Sequence, residues 1–293
     1  MAGGQTSSSD REARCLAEEP LSGVILFDKP TGVTSHDVVA QTRRRLGKGV
    51  KVGHAGTLDP FATGLLLVLV GRATRAQRFL MALPKSYETV ARFGATSTTG
   101  DRDGEITETG RVPDGDLPLP TGVINQRPPA YSAVKVDGVR AYKRARKGEE
   151  VELAERQVTV HAFDELARDG ARRTFAIRCS SGTYVRSLVA DLGDAYCEEL
   201  RRTAIGPFDV ADADPERIVP LNEALSFLTE VPLTGDDARR ASHGVAVPDP
   251  AAADRTVGDA VRLTDADGLI AIAEPRTGPD GEALLKPVVG LRG

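Results

Sequence analysis

The 293-residue sequence predicts an α+β protein, with a larger region of mixed sheet and helix followed by a small β-rich terminal domain. Three observations carry this expectation. Leu65 to Val70 is a continuous apolar run of strand length, and Tyr87 to Phe93 alternates and is rich in β-branched residues. Between Thr34 and Gly47 the apolar residues recur at helical spacing, bounded by a capping residue and a glycine. After about Pro220, short apolar runs separated by Gly, Asp and Pro clusters take over.

Residues 1–20 combine Gly, Ser and both charges without hydrophobic period, the composition of a disordered tail. Gly23 to Phe27 reads as a short buried strand, closed by Asp28-Lys29-Pro30 and a turn at Gly32. The helix that follows starts with Thr34 or Ser35 as N-cap, shows Val38, Val39, Thr42 and Leu46 on one face, and stops at Gly47. Phe175, Ile177 and Cys179 share one face of a period-two stretch. Ser180-Ser181-Gly182 then turns the chain into a helix showing Val185, Leu188, Val189 and Leu192. Leu221 to Leu228 has the spacing of a short linker helix, and the terminal strands are expected at Ala260 to Leu263, Leu269 to Ala273 and Leu284 to Val289.

With 40% hydrophobic and 27% charged residues, the chain is able to bury the cores of about two domains. Its longest apolar run is far short of the roughly 20 residues that cross a bilayer. No apolar stretch follows Met1, so a cytoplasmic protein without membrane contact is expected. Cys15, Cys179 and Cys197 form no Cys-x-x-Cys pair, and His36, His54, His161 and His243 have no metal-ligand spacing. Neither a disulfide framework nor a metal site is expected. The net charge of −4 conceals a polarised chain. Arg127, Lys135, Arg140, Lys143, Arg144, Arg146 and Lys147 face the single acid Asp137, whereas acids gather from Asp101 to Asp116 and after Asp209. Local positive charge of this kind is what phosphate binding requires.

The densest unusual segment runs from Lys51 to Gly64, where Gly53, Gly56 and Gly64 permit close backbone approach and Pro60 fixes the exit from Asp59. Such a loop is able to present one carboxylate rigidly. An isolated Asp-Pro pair is ordinarily a turn or a helix cap, so Asp59 needs partners before it reads as a catalyst. Arg186, in Ser-Ser-Gly-Thr-Tyr-Val-Arg, supplies a cation able to keep a buried carboxylate ionised, since opposite charge lowers the pKa that desolvation raises. Alone it is a surface helix residue.

Lys85-Ser86-Tyr87 offers an aromatic face for a base taken out of its stack, although a lone tyrosine is more often core. His54 suits bracing of its own glycine loop, and Lys29 suits a solvated turn. The basic segment from Arg127 interleaves Tyr131 and Tyr142 behind a stiff Pro-Pro entry, which fits phosphate contact and base stacking better than a plain solvated face does. Periodicity alone does not bring these segments together.

Taken in chain order, they resemble the bacterial tRNA pseudouridine(55) synthases of the TruB-type family. The likeness spans Gly23 to Phe208. It rests on Phe-Asp-Lys-Pro-Thr-Gly-Val-Thr-Ser-His-Asp, Val-Gly-His-Ala-Gly-Thr-Leu-Asp-Pro-Phe-Ala-Thr-Gly, Lys-Ser-Tyr, Pro-Pro-Ala-Tyr-Ser-Ala-Val-Lys, Cys-Ser-Ser-Gly-Thr-Tyr-Val-Arg and Leu-Arg-Arg-Thr. It implies a catalytic domain over residues 21–228 with a mixed, largely antiparallel central sheet. A mobile RNA-clasping insertion over 126–148 and a PUA-like RNA-binding domain over 229–293 complete the implied organisation.

The same resemblance implies isomerisation of uridine to pseudouridine at position 55 in the T-loop of tRNA, without cofactor or metal. Asp59 would be the catalytic aspartate, Arg186 its ion-pair partner, and Tyr184 an aid to proton transfer at C5. Tyr87 would stack on the flipped uracil, His54 would contact a displaced base, and Leu200 and Lys29 would complete the substrate pocket. Arg127, Lys135, Lys143, Arg144, Arg146 and Lys147 would meet the RNA backbone. The implied partner is the tRNA T arm, bound by a monomer with no obligate protein partner. A pseudouridine synthase for another RNA, and an inactive tRNA-binding or folding chaperone, are the competing expectations. Two stretches, Gly104 to Gln126 and Gly193 to Leu200, are shorter than the resemblance leads one to expect.

Overall fold

The computed structural model describes residues 21–129, 135–136, 139–140, 153–256 and 258–292, with backbone alone at 135–136 and 139–140. The chain begins with β1 (Gly23–Lys29), α1 (Ser35–Leu46), β2 (Val52–His54), β3 (Thr63–Val70), α2 (Gln77–Ala82) and β4 (Lys85–Phe93). Three short strands follow, β5 (Ala95–Ser97), β6 (Ile106–Glu108) and β7 (Gly122–Gln126), then the hairpin strands β8 (Lys135–Val136) and β9 (Val139–Arg140). The long pair β10 (Arg156–Asp169) and β11 (Arg172–Cys179) leads to α3 (Val185–Ala190), β12 (Ala195–Ile205), β13 (Phe208–Asp209), β14 (Val219–Pro220) and α4 (Leu221–Ala224). The C-terminal region adds β15 (Thr229–Pro232), α5 (Gly235–Ser242), β16 (Val247–Pro248), β17 (Val261–Asp265), β18 (Gly268–Thr277) and β19 (Ala283–Gly290).

Ten strands form one sheet in the order β14-β1-β3-β12-β4-β11-β10-β7, with β2 on β3 and β13 on β12. Its pairings are antiparallel except β3–β12, which run parallel with Arg202 opposite Gly64. That contact dictates a glycine: a Cβ on Gly64, at φ +100°, would lie 2.2 Å from the Arg202 carbonyl oxygen. The central sheet is therefore mixed and largely antiparallel, as expected. A second sheet, β15-β17-β18-β19-β16, makes the C-terminal region β-rich.

β3 is apolar throughout because both faces of the sheet are covered there. Leu65, Leu67 and Leu69 share a core with Val24, Leu26, Ala224, Leu225 and, from the C-terminal sheet and its end, Ile272 and Leu291. Leu66, Val68 and Val70 point the other way, onto Val38 and Val39 of α1. Burying each such side chain is worth roughly 1.5–3 kcal/mol over leaving it exposed. Helix α1 has the expected boundaries: Thr34 and Asp37 form a reciprocal capping box, and Gly47 at φ +88° ends it. The C-terminal sheet is further tied to the chain after β3. Arg72 donates to the Leu291 carbonyl at 3.3 Å, Arg75 to that of Gly290 at 3.0 Å, and Arg78 meets Glu274 at 2.8 Å.

One expectation needs correction, and three elements are not announced by the sequence. The helix expected over Leu221 to Leu228 is only Leu221–Ala224, because Leu225 and Leu228 leave the helical path to enter the core beneath β1 and β3. Strands β10 and β12 are hidden in the sequence by charge: Glu165, Arg168, Glu198, Glu199, Arg201 and Arg202 interrupt their apolar patterns. Helix α5 is also unannounced. The short stretch before Leu200 is a turn at Gly193, φ +135°, that feeds β12 from Ala195 onward. Between Gly104 and Gln126 lie only β6 and β7, and Arg173 pins the intervening chain through the carbonyls of Gly115 (2.9 Å) and Pro113.

Candidate active site

Asp59 sits on the loop between β2 and β3, and neighbouring chain holds that loop by its backbone. The Leu58 N–H donates to Ser35 Oγ at 2.9 Å, and the same hydroxyl donates to the Leu58 carbonyl at 3.3 Å. The Gly32 N–H donates to the Pro60 carbonyl at 2.8 Å and Thr31 Oγ1 to that of Phe61 at 3.0 Å. The segment from Asp28 to Ser35 is thus a cradle for the Asp59 loop.

Lys29 belongs to that cradle. It is fully buried, and its Nζ donates to the carbonyls of Pro30 (2.9 Å), Val33 (2.7 Å) and Pro60 (3.3 Å). An ammonium has three donors, so none is left over. Burial draws its pKa down to about 8, against the pull of the Asp59 charge.

Arg186, on the first turn of α3, is 3% exposed and sits between two carboxylates. Its Nε lies 2.9 Å from Oδ2 of Asp59, and its Nη1 lies 3.0 Å from Oδ2 of Asp101 and donates to the Thr99 carbonyl at 2.6 Å. The Asp101 side chain is 8% exposed, whereas that of Asp59 keeps 33%, so Asp59 is the carboxylate open to an incoming group. Asp101 is fixed in turn by Thr99 Oγ1 (2.6 Å) and the Asp103 N–H (3.1 Å). The dense protein around Asp59 raises its pKa above the ordinary carboxylate range. Arg186 opposes that shift, and the second negative charge on Asp101 adds to it.

Tyr87 lies on β4 directly across from Arg202 on β12 and shares an apolar cluster with Leu58, Phe61 and Leu200. Burial raises the pKa of its phenol, and the charge of Arg202 opposes that rise. Tyr184 precedes α3. Gln126 grips its backbone, accepting from the Tyr184 N–H at 2.8 Å and donating to its carbonyl at 3.0 Å. The Arg156 guanidinium covers the Tyr184 ring at 4.8 Å from the centroid. His54, at the end of β2, accepts from Gln77 Nε2 through its carbonyl at 2.7 Å, and its ring meets that of His36 edge-on at 5.5 Å. The structure thus brings Asp59 against Arg186 and puts Tyr87 and Leu200 in one cluster with the neighbours of Asp59. Arg127 is exposed, with Nη2 3.5 Å from Glu155. Lys143, Arg144, Arg146, Lys147 and the side chain of Lys135 lie outside the described residues, as do most of the expected insertion and tail.

Sequence comparison bears on this arrangement directly. The profile described as TruB family pseudouridylate synthase (N terminal domain) matches residues 43–185. A protein named tRNA pseudouridine synthase B from Thermobifida fusca (strain YX) is 43% identical over 301 residues, covering 92% of this chain and 99% of the relative. The chain belongs to the TruB family of pseudouridine synthases. A second member, from Corynebacterium aurimucosum, carries the same name and is 45% identical over 240 residues, covering 76% of this chain and 78% of its own length. Among solved structures, "Crystal Structure of a Cbf5-Nop10-Gar1 Complex" aligns at a TM-score of 0.68 and 26% identity, over 92% of this chain and 84% of that one. "Structure of H/ACA RNP bound to a substrate RNA containing 2'-deoxyuridine" aligns at 0.66 and 25% identity, over 92% and 85%.

As a TruB-family enzyme the chain is an isomerase, and its site includes residues that sequence reading passes over. Asp101 looks like one of many acids in its stretch; its only signal is the preceding Gly100, at φ +73°, where a Cβ would sit 3.5 Å from Cβ of Arg186. Arg202 stands in Leu-Arg-Arg-Thr beside the half-exposed Arg201, and sequence does not tell the buried arginine from its neighbour. Gln126 and Arg156, which fix Tyr184, carry no sequence signal at all. Among the described residues, no His, Cys, Asp and Glu group has the arrangement to hold a metal ion, and no helix is long and apolar enough to cross a membrane.

Proposed function

We propose that this enzyme converts uridine 55 in the T-loop of tRNA to pseudouridine, with Asp59 starting the reaction. The observation that carries the reading is the Asp59–Arg186 ion pair at 2.9 Å, with Asp59 the more open of the two carboxylates that Arg186 serves. The name shared by its relatives, tRNA pseudouridine synthase B, supports the choice of tRNA.

The target uridine leaves its stack, at a cost of a few kcal/mol. Stacking on the Tyr87 ring returns about 1–3 kcal/mol of that. Arg186 holds Asp59 ionised and aimed, and Asp59 acts at the ribose, as nucleophile or as the base that removes a ribose proton. The bond between C1′ and N1 breaks and the uracil departs with the electron pair. The ring turns within the apolar walls formed by Tyr87 and Leu200, and C5 bonds to C1′, displacing the Asp59 carboxylate if it has bonded there, or with the ribose proton returned from Asp59 if it has acted as base. Loss of the C5 proton, assisted by Tyr184, and protonation of N1 complete an isomerisation that needs no net redox change, cofactor or second substrate.

In this reading residues 21–228 are the catalytic domain, the basic segment after Gln126 clasps the T arm through Arg127, Lys135, Lys143, Arg144, Arg146 and Lys147, and residues 229–293 form a PUA-like unit. The enzyme works as a cytoplasmic monomer. His54 touches a base displaced from the T-loop. A panel of transcripts tests the substrate: tRNA with uridine at position 55, the same tRNA with cytidine there, and rRNA fragments. Product confined to the first supports the reading, and product in the cytidine-55 tRNA or the rRNA fragments overturns it.

A further inference from the structure

Arg202 is a buried cation that the mechanism above does not use. It is 1% exposed, and it makes no ion pair with a carboxylate among the described residues. Burying a guanidinium without a counter-charge costs several kcal/mol, and a methionine would fill much of the same space without that penalty. Its acceptors explain its presence. Nε donates to the Leu65 carbonyl at 2.7 Å, Nη2 to that of Gly56 at 3.1 Å, and Nη1 lies 3.5 Å from that of Thr57. Tyr87 lies directly opposite Arg202 on β4, so the two side chains stand side by side on one face of the sheet. One rigid fork on β12 therefore joins the loop that carries Asp59 to the start of β3, beside the ring proposed to support the uracil.

From this geometry we infer that Arg202 is a positioning residue for the isomerisation, which sets the tilt and depth of the Tyr87 ring relative to the Asp59 carboxylate. The inference rests on the reading that Tyr87 stacks on the flipped base. Without the fork, the ring and the Asp59 loop lose their common anchor, and a displacement of about 1 Å between reacting groups costs on the order of 100-fold in rate. Lysine is no substitute, because a single ammonium point does not span the same acceptors as a planar fork. The effect belongs to the chemical step, since a side chain only 1% exposed offers the RNA almost no surface.

Arg202→Lys, Tyr87→Phe and the double variant, assayed by single-turnover kinetics on tRNA with Asp59→Asn as control, test the inference. Tyr87→Phe keeps the aromatic face and removes the phenol hydroxyl from beside the Arg202 strand position. The expected result is a fall in the rate of isomerisation of about 10- to 100-fold for each single variant, with tRNA affinity near wild type. The double variant falls no further than the worse single. A wild-type rate for Arg202→Lys, losses that multiply in the double variant, or a loss that sits in tRNA affinity would overturn it. If Arg202→Lys does not fold, Tyr87→Phe decides alone: a lowered rate at unchanged affinity supports the role, and a wild-type rate overturns it. Activity surviving in Asp59→Asn would instead overturn the reading on which the inference rests.

Discussion

Arg186 reaches Asp59 through Nε at 2.9 Å while its Nη1 is occupied by Asp101 at 3.0 Å, so the orientation of one carboxylate depends on the other. Two acids share one guanidinium, which leaves the trio with a net negative charge. Asp101→Asn removes one of the two carboxylate charges on Arg186 and should lower the isomerisation rate by about 10- to 100-fold with little change in tRNA affinity. It should also move the acid limb of the pH–rate profile to lower pH, because the Asp101 charge is one of the influences raising the Asp59 pKa. A limb that stays in place or moves up would show that the two carboxylates do not interact.

The raised pKa of Asp59 has a consequence for stability as well as rate. The folded protein holds the Asp59 proton more tightly than the unfolded chain does, so stability falls as pH rises from the ordinary carboxylate pKa through the folded value. Asp59→Asn lacks this penalty. Its unfolding free energy relative to wild type should grow across that pH window and then level off, as followed by denaturant titration at a series of pH values. The rate of the wild type should rise over the same window as the carboxylate ionises.

Lys29 yields a stability prediction free of catalytic chemistry. Lys29→Met leaves the carbonyls of Pro30, Val33 and Pro60 without their donor in a buried position. An unfolding free energy lower by at least about 2 kcal/mol is expected. A substitution that leaves the melting temperature unchanged would show that the cradle around the Asp59 loop does not depend on this ammonium.

Much of the fold is legible in the sequence wherever hydrophobic pattern and punctuation agree. α1 is marked by Thr34, its apolar face and Gly47, and β3 by its uninterrupted apolar run. β12 is not, because Arg202 is buried by partners distant in sequence and therefore reads as solvated charge. The site divides the same way. Asp59, Tyr87 and Arg186 stand in dense motifs and suggest themselves, although only the folded chain brings Asp59 and Arg186 to ion-pair distance. Asp101 arrives from a loop whose local sequence matches any acidic turn. Lys29 stands in an equally dense motif, and only the folded chain shows its ammonium bonded to the carbonyls of Pro30, Val33 and Pro60, since residue type and spacing do not reveal which way an ammonium points.

The basic segment after Gln126 gives a test of RNA binding by charge. Replacing Lys143, Arg144, Arg146 and Lys147 with glutamine should weaken tRNA binding and flatten its dependence on salt, by a log–log slope of about 0.7–0.9 for each phosphate no longer neutralised. An unchanged slope would show that other cations of the protein neutralise the phosphates.

Whether the Asp59 carboxylate starts the isomerisation is decided by release of labelled hydrogen from C5 of uridine in tRNA, followed at saturating tRNA for the wild type and for Asp59→Asn. Steady release is expected from the wild type and none from the variant, with equal tRNA binding by both. Release by Asp59→Asn at a substantial fraction of the wild-type rate would contradict the role assigned to this aspartate.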